Sequence, residues 1–291
     1  MILIADSGST KTEWCLFHSD VTHTYFHTAG LNPYFQTPQE QTEEIAKRLL
    51  PWLREQTEGS VDAVYFYGAG CTSEKIPVVQ QVLRGAFPDA QISVFSDMVA
   101  VAHALCGRSA GIACILGTGS NSCFYDGREI CSNVSPLGFI LGDEGSGAVL
   151  GRLLVGDILK NQTSVELRER FFQKFNLTPD EIIERVYRKP FPNRFLASLS
   201  PFLAENLHEP EIYRLVYDSF SAFLRRNVMQ YDYTHYPIHF SGSVAYYYQD
   251  VLRRAASDLH LQVGEIVRGP MEGLIAYYVA KMSGVNLWSS L

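Results

Sequence analysis

The order of predicted strands and helices is repeated in the two halves of the chain, and this repeat constrains the fold more than any other feature. In the first half, short apolar segments predict three consecutive strands, "MILIAD", "TEWCLFHS" and "VTHTYFHTA", followed by helix, strand, helix, strand and helix. Near residue 111 a second three-strand meander begins with "GIACILG", and the strand and helix order then returns after a long helical segment. We therefore predict an α/β fold of two duplicated domains, each with βββαβαβα order.

Short glycine-containing connections set the predicted domain boundaries. The chain has 291 residues, of which 46% are hydrophobic, enough for two medium-sized domains with their own cores. We expect an N-terminal domain of residues 1–108 and a C-terminal domain of residues 109–271, with a helical insertion at about 143–230. The last helix, 272–291, is expected to cross back and pack on the first domain.

Composition excludes several classes of protein. The net charge is −7 and the Lys and Arg residues form no stripe, so we expect no nucleic-acid partner. No uncharged apolar stretch is long enough to predict a membrane span, and the chain starts with a strand in place of a signal peptide, which indicates a cytoplasmic protein with no membrane partner. The six cysteines are scattered without a CxxC pair, so reduced, mostly buried thiols are expected.

Two predicted hairpin turns carry the residues expected to bind phosphate. Each joins the first and second strands of its half, with the sequences "DSGSTKT" and "GTGSN". Glycine permits a tight turn, and hydroxyl, ammonium and backbone N–H groups are the donors that an anion needs. Neither the Walker pattern nor the dinucleotide-binding glycine pattern occurs in its required context. The assigned residues are Gly8, Ser9, Thr10, Lys11 and Thr12 in the first hairpin and Gly117, Thr118, Gly119 and Ser120 in the second.

Two carboxylates stand at predicted strand ends in the first half. Asp6 ends the first strand beside the hairpin, and it is the predicted magnesium ligand because Mg²⁺ binds oxygen ligands and retains waters. Asp97 follows the strand "ISVFS" and is the predicted general base, a fixed carboxylate that accepts a proton from an attacking hydroxyl. The alternative for this position is structural, with Ser96 or Asp97 capping the next helix.

The segment "PLGFILGDEGSGAVLG" is the densest glycine signal in the chain. Glycine at this density is costly in backbone entropy, so the segment is expected to bend closely around a ligand. Asp143 within it suits a ligand that carries hydroxyl groups. The alternative is that Asp143 or Ser146 caps the following helix, and for Glu144 capping and a role in binding metal water or sugar both stay open.

The segment "FSGSVA" repeats the order of strand, glycine and helix in the second half. Its residues Gly242, Ser243 and Val244 fit an adenosine site, because a glycine backbone can approach a flat ligand closely. A plain helix start fits the same residues.

These segments together resemble the BadF/BadG/BcrA/BcrD ATPase family, in its N-acetylglucosamine kinase-like branch, within the actin, sugar-kinase and Hsp70 superfamily. The resemblance extends over nearly the whole chain and rests on "ADSGSTKTEW", "SDMVAVAHA", "ILGTGSNS", "LGDEGSGAVLG" and "FSGSVA". It implies a duplicated ribonuclease H-like, or actin-like ATPase, fold whose halves face each other across a nucleotide cleft, with ATP and Mg²⁺ as cofactors.

The resemblance also implies that the protein is an ATP-dependent hexosamine kinase, which phosphorylates the 6-hydroxyl of an amino sugar. N-acetylglucosamine is the first candidate substrate. Asp97 is implied as its catalytic base, and "GLNPY" resembles a sugar-contacting loop. Kinases of this group can carry a tryptophan at the position of Leu137, and this chain departs from that pattern. The implied sugar-binding residues are Asn32, Asp97, Thr118, Gly138 and Asp143.

Two other function classes stay open from the sequence. The family's other branch activates 2-hydroxyacyl-CoA dehydratases and benzoyl-CoA reductase through a cysteine-bound iron-sulfur cluster, and this chain lacks the glycine-cysteine motif of that cluster. A non-catalytic sugar sensor would not need both hairpins and Asp97 intact. The tyrosine-rich helices of the second half are candidates for a homodimer surface.

Overall fold

The computed structural model describes residues 1–8, 10–17 and 22–283. These ranges form two compact units. The first contains residues 1–109 and the segment from Pro270, and the second contains Ala110–Gly269. None of the helices that we describe combines the length and the apolar character needed to cross a membrane.

Each unit contains a five-stranded mixed sheet, and the two sheets have the same strand arrangement. The first sheet has the order β3-β2-β1-β4-β5, and the second has β8-β7-β6-β9-β10. In each, the three-strand meander is antiparallel, and its first strand pairs in parallel with the fourth strand. The prediction of a duplicated α/β fold is confirmed. The strands are β1 (Ile2–Ser7), β2 (Lys11–Phe17), β3 (His23–Ala29), β4 (Ala63–Gly68), β5 (Gln91–Ser96), β6 (Gly111–Leu116), β7 (Ser120–Tyr125), β8 (Ile130–Val134), β9 (Ile238–Ser241) and β10 (Val263–Val267).

Helices follow the strands in both units, and most of them lie in the second unit. The helices of the first unit are α1 (Pro38–Glu44), α2 (Leu50–Gln56), α3 (Ile76–Ala86), α4 (Asp97–Cys106) and α14 (Met271–Ser283). Those of the second are α5 (Gly138–Leu141), α6 (Gly147–Leu159), α7 (Val165–Phe175), α8 (Pro179–Tyr187), α9 (Pro192–Ser198), α10 (Ser200–Glu205), α11 (Pro210–Arg226), α12 (Ser243–Tyr247) and α13 (Gln249–Asp258).

The two faces of the first sheet have different roles. One face is mainly apolar and packs on α1 to α3 through residues such as Leu3, Trp14 and Phe66. The other face is covered by α4 and α14. Asp6 and Tyr67 are register partners on β1 and β4, and side chains at paired positions point to the same face. Asp6 therefore lies on the face that α4 covers.

A buried polar cluster joins β4, α4 and α14 on this face. The Tyr67 hydroxyl lies 2.9 Å from His103 Nδ1 and 2.7 Å from the Tyr278 hydroxyl. Burial, and the charge of Lys281 after it, lowers the pKa of His103 to about 4, so the imidazole is neutral. The cluster fixes α4, and with it Asp97 at the helix start. The expectation that the last helix continues to Leu291 concerns residues 284–291, which lie outside the described residues.

Two helical segments are interrupted, each for a local reason. The first, residues 38–56, contains a π-helical turn at Ile45–Leu49 just before Pro51. Proline lacks an N–H and its ring clashes with the carbonyl four residues earlier, and a wider turn accommodates it. The second stops at Tyr248, between α12 and α13, where the side chain is buried and its hydroxyl donates to the Ser200 carbonyl.

Candidate active site

In the first unit, the hairpin after β1 is a tight turn whose backbone supports the end of the strand. The Gly8 N–H donates to the Lys11 carbonyl at 2.9 Å, and Thr10 and Lys11 are exposed. Ser9, a predicted phosphate ligand, lies outside the described residues. The hydroxyl of Thr12 is fully buried, 2.7 Å from the Ser7 hydroxyl, so this side chain supports the hairpin from below.

Asn32 is held next to the same strand end by a chain of hydrogen bonds. The Leu31 N–H donates to the Ser7 hydroxyl at 2.9 Å, and the Asn32 carbonyl oxygen Oδ1 accepts from the Tyr34 N–H at 2.9 Å. Gly70 lies directly against Asn32. A Cβ at Gly70 would stand 2.6 Å from Oδ1 of Asn32, and its φ of +79° also requires glycine. Asn32 thus has a fixed place beside the end of β1.

Asp97 is the first residue of α4, directly after the C-terminal end of β5. The Ser96 hydroxyl caps the helix by accepting from the Val99 N–H at 3.4 Å, so capping is carried by Ser96. Burial raises the pKa of Asp97, and hydrogen bonds from the backbone N–H groups of Met98 and Asp97 oppose this shift. The carboxylate is therefore held in place at a helix N-terminus.

Asp6 and Asp97 interact electrostatically. Burial and, after it, the charges of Asp97 and Glu13 raise the pKa of Asp6 to about 7, although the charge of Lys11 opposes this shift. The acidic groups at this strand end outnumber the single opposing cation. A hard divalent cation that takes oxygen ligands would supply the missing positive charge, so the donor set fits Mg²⁺ held by Asp6 and waters. In the described part of the chain, no three His, Cys, Asp or Glu residues form a metal-binding group.

In the second unit, the hairpin Gly117–Ser120 is held by the start of α6. The N–H groups of Gly147 and Ala148 donate to the carbonyls of Gly117 and Thr118 at 2.8 and 3.1 Å. The Asp143 carboxylate Oδ1 accepts from the Ser120 N–H at 3.3 Å. A Cβ on Gly119 would approach Asp143 Oδ2 to 3.2 Å, so the structure brings the second hairpin and Asp143 together.

The loop that presents Asp143 has a constrained backbone. Asp143 has a φ of +52°, which is uncommon for a residue with a side chain, and its N–H donates to the Pro136 carbonyl at 2.9 Å. Gly142 before it has no room for a Cβ, which would stand 2.2 Å from the same carbonyl. Gly138 has a φ of +73° and open space around it. Ser146 caps α6, so the capping alternative for Asp143 is wrong.

Burial raises the pKa of Asp143 to about 6, the Ser120 N–H opposes this, and the charge of Glu144 contributes to the rise. The carboxylate is therefore mostly ionised at neutral pH. An ionised carboxylate is an acceptor only, which suits hydroxyl donors such as those of a sugar.

Gly242 lies against the start of the second hairpin. Its φ is +123°, and a Cβ would stand 2.3 Å from the Leu116 carbonyl oxygen and 3.3 Å from the Gly117 nitrogen. Ser243 is exposed at the start of α12, whereas the Val244 side chain is buried in the core. Of the three predicted adenosine-site residues, Gly242 and Ser243 therefore lie at the surface end of β9, and Val244 contributes packing.

Two partners of the Asp143 loop were not found from the sequence. Arg226 Nε, at the end of α11, lies 2.5 Å from Glu144 Oε1, and the Ser219 hydroxyl accepts from the Gly145 N–H at 3.1 Å. Both partners belong to the helical insertion and are far from the loop in sequence. The sequence contains the dipeptide Arg225-Arg226, but no motif or periodicity indicates that one of these arginines forms an ion pair with Glu144.

Comparison with known proteins gives a match to solved structures. No protein-family model and no curated protein matches the chain. A putative N-acetylglucosamine kinase from Porphyromonas gingivalis matches with a TM-score of 0.93 and 52% identity, over 96% of this chain and 98% of the other.

More distant structures share the fold. A putative N-acetylglucosamine kinase from Chromobacterium violaceum has a TM-score of 0.75 and 17% identity, over 95% of this chain and 98% of the other. A ROK family glucokinase from Streptomyces griseus in complex with glucose and AMPPNP has a TM-score of 0.58 and 14% identity, over 96% of this chain and 99% of the other. With an identity of 52% along nearly its whole length, the chain belongs to the same family as the Porphyromonas gingivalis protein and has the fold of the sugar kinases and actin-like ATPases.

Proposed function

We propose that the protein is an ATP-dependent hexosamine kinase of the BadF/BadG/BcrA/BcrD ATPase family, which transfers the γ-phosphoryl group of ATP to the 6-hydroxyl of an amino sugar. N-acetylglucosamine is the first candidate substrate. The observation that carries the proposal is the 52% identity, over 96% of the chain, to a protein described as a putative N-acetylglucosamine kinase. The fixed carboxylates of Asp6, Asp97 and Asp143 support it independently.

Asp97 acts as the general base in this proposal. Its carboxylate accepts the proton of the sugar 6-hydroxyl as the hydroxyl oxygen attacks the γ-phosphorus, the bond to the β–γ bridging oxygen breaks, and ADP leaves. The raised pKa of Asp97 suits this role, because a base is most effective when its pKa approaches the working pH. Its position at the start of α4 fixes the carboxylate and so reduces the entropy cost of the reaction.

Both hairpins bind the phosphates of ATP. Gly8, Thr10 and Lys11 supply backbone N–H groups, a hydroxyl and an ammonium group, and Gly117 to Ser120 supply the second set. Asp6 would hold Mg²⁺ through its carboxylate and waters, and the ion would supply positive charge against that of the phosphates. Gly242 and Ser243 offer backbone and hydroxyl groups to the adenosine.

Four residues besides the base are assigned to sugar binding. The side chains of Asn32 and Asp143 bind hydroxyl groups, and the backbone of Thr118 and Gly138 completes the set. Asp143 accepts hydrogen bonds from hydroxyls in its ionised form. The kinase uses these contacts to position the 6-hydroxyl, because phosphoryl transfer depends mainly on positioning and charge stabilisation.

The cysteines favour the kinase over an activator with an iron-sulfur cluster. A cluster shared between two subunits needs thiolates at one surface. Five of the six cysteines are buried, and Cys131 is the exposed one. Burial raises the pKa of Cys15 and Cys71 to about 12, which opposes the thiolate form that binds a cluster.

The proposal is tested by identifying the product. Protein, Mg-ATP and each of N-acetylglucosamine, glucosamine, N-acetylmannosamine and glucose are incubated, and the product is analysed by mass spectrometry and ³¹P NMR. We expect a monophosphate of an amino sugar with phosphorus coupled to the C6 protons. The 6-deoxy analogue of the best substrate is the matched control and should give none. Phosphorylation at another carbon would contradict the assigned hydroxyl, and ATP hydrolysis without any sugar phosphate would contradict the kinase.

A further inference from the structure

The loop from Pro136 to Ser146, which presents Asp143, has empty space on both sides of Glu144. One cavity of about 340 Å³ is lined by Pro136, Gly142 and Glu144 from the loop and by Arg225 and Arg226 from the end of α11. A second cavity of about 510 Å³, between α6 and α11, is also lined by Glu144, together with Ser219. Both cavities are open to solvent, so close packing does not surround this part of the loop on these two sides.

The loop is held across these cavities by two contacts to α11. Arg226 Nε lies 2.5 Å from Glu144 Oε1, and the Ser219 hydroxyl accepts from the Gly145 N–H at 3.1 Å. Both contacts act on the two residues that directly follow Asp143. The strained φ of +52° at Asp143 requires such support, because a residue in the left-handed region persists only where its surroundings hold it.

The ion pair between Glu144 and Arg226 differs from a fully exposed surface ion pair. Its side chain is only 19% exposed, whereas that of Arg226 is 64% exposed. An exposed ion pair contributes little to stability, but removing the partner of a largely buried carboxylate leaves that charge poorly solvated. Loss of Arg226 would therefore act mainly on Glu144 and on the loop that carries it.

We infer that Arg226 and Ser219 are positioning residues that hold Asp143 in its sugar-binding geometry through Glu144 and Gly145. This inference rests on the proposed function and assigns a role to α11 of the helical insertion. In the part of the chain that the structure describes, neither residue forms a hydrogen bond or an ion pair with Asp143. Their effect is on sugar affinity, since the contacts hold the loop that binds the sugar and leave the base Asp97 in the other unit unchanged.

The variant Arg226→Gln tests the inference, with Arg225→Gln as the matched control. Arg225 is the neighbouring residue at the same helix end, lines the same cavity and, among the residues that the structure describes, has no carboxylate within ion-pair distance. Both variants lose one cation near the C-terminus of α11, so both lose the same favourable interaction with the helix dipole. Only Arg226→Gln removes the partner of Glu144.

We expect Arg226→Gln to weaken sugar binding by about fivefold to thirtyfold, the scale of a partly buried charged group that loses its hydrogen-bonded partner. The dissociation constant for the sugar is measured by calorimetry in the presence of ADP, and kcat and KM are measured separately. KM should follow the dissociation constant and kcat should change by less than about twofold, because the variant affects ground-state binding. Arg225→Gln should match the wild type.

Two further variants separate positioning from a general loss of structure. The double variant Arg226→Gln with Glu144→Gln should bind sugar better than Arg226→Gln alone, because it removes the unpaired charge. Ser219→Ala should weaken sugar binding while the Tm of the protein changes little. Equal sugar affinity in wild type and Arg226→Gln would overturn the inference, as would an equal loss in Arg225→Gln. Absence of sugar binding by the wild type would instead overturn the proposed function.

Discussion

Replacing Asp6 by Asn should stabilise the metal-free protein while it abolishes efficient turnover. Burial and the charges of Asp97 and Glu13 raise the pKa of Asp6 from its ordinary value of 3.8 to about 7. The folded state therefore binds a proton that the unfolded state has released between these two pH values. The stability of the wild type falls as the pH rises from about 4 to about 7, and it stays low above that range.

The size of the effect follows from the two pKa values. The difference corresponds to about 4 kcal/mol against folding at pH 8, and to about 2 kcal/mol at pH 5. Asparagine has no charge at either pH, so Asp6→Asn removes this unfavourable contribution to the free energy of folding. The variant should be more stable than the wild type by about these amounts in the absence of divalent cations.

The assay is urea unfolding of metal-free wild type and Asp6→Asn between pH 4 and pH 8, followed by circular dichroism. Asp89→Asn, an exposed aspartate of the same unit, controls for the chemical change from Asp to Asn. The stability difference between Asp6→Asn and the wild type should grow with pH and level off above about pH 7. Added Mg²⁺ should stabilise the wild type more than the variant. A difference that does not depend on pH would refute the electrostatic reasoning for Asp6.

Two further predictions concern the second unit. The KM for sugar should fall by up to about tenfold as the pH rises from 5 to 7, because Asp143, with a pKa of about 6, binds hydroxyls in its ionised form. Asp143→Asn should raise KM and remove this pH dependence, and an unchanged pH profile would contradict the role of Asp143. Gly242→Ala should destabilise the protein by about 3 kcal/mol or more and raise the KM for ATP, because its Cβ would stand 2.3 Å from the Leu116 carbonyl at a φ of +123°. Gly156→Ala, in α6 with no atom within 4 Å of the added Cβ, should instead stabilise by about 0.5–1 kcal/mol in urea unfolding, and equal behaviour of the two variants would contradict the assignment of a close backbone approach at Gly242.

The sequence predicted the order of strands and helices along the chain and the positions of Asp6 and Asp97 at strand ends, because both follow from local patterns. Alternation of apolar residues marked the strands, and the ends of adjacent parallel strands meet at one edge of a sheet. Asp6 on β1 and Asp97 after β5 therefore come close once the topology is known. The helix cap at Ser96 was also visible as a residue type, although the sequence did not separate it from Asp97.

Contacts between distant segments could not be predicted from one sequence. The ion pair between Glu144 and Arg226 joins a loop to a helix of the insertion, and no periodicity relates them. The burial of Thr12 depends on the paths of both neighbouring strands, which the hairpin sequence alone does not reveal. The π-helical turn before Pro51 keeps the helix continuous although proline lacks an N–H. Residue periodicity distinguishes helix from strand and does not predict such a turn.

The measurement that tests the central claim most directly is sugar-dependent ADP release by the wild type and by Asp97→Asn, with Asp89→Asn as the control. The wild type and the control should release ADP when an amino sugar is present, and ADP release without sugar should be much slower. Asp97→Asn should lower turnover by about a hundredfold or more, the scale of a lost general base, while AMPPNP binding stays near that of the wild type. Full turnover in Asp97→Asn, or ADP release that no sugar stimulates, would contradict a sugar kinase with Asp97 as its base.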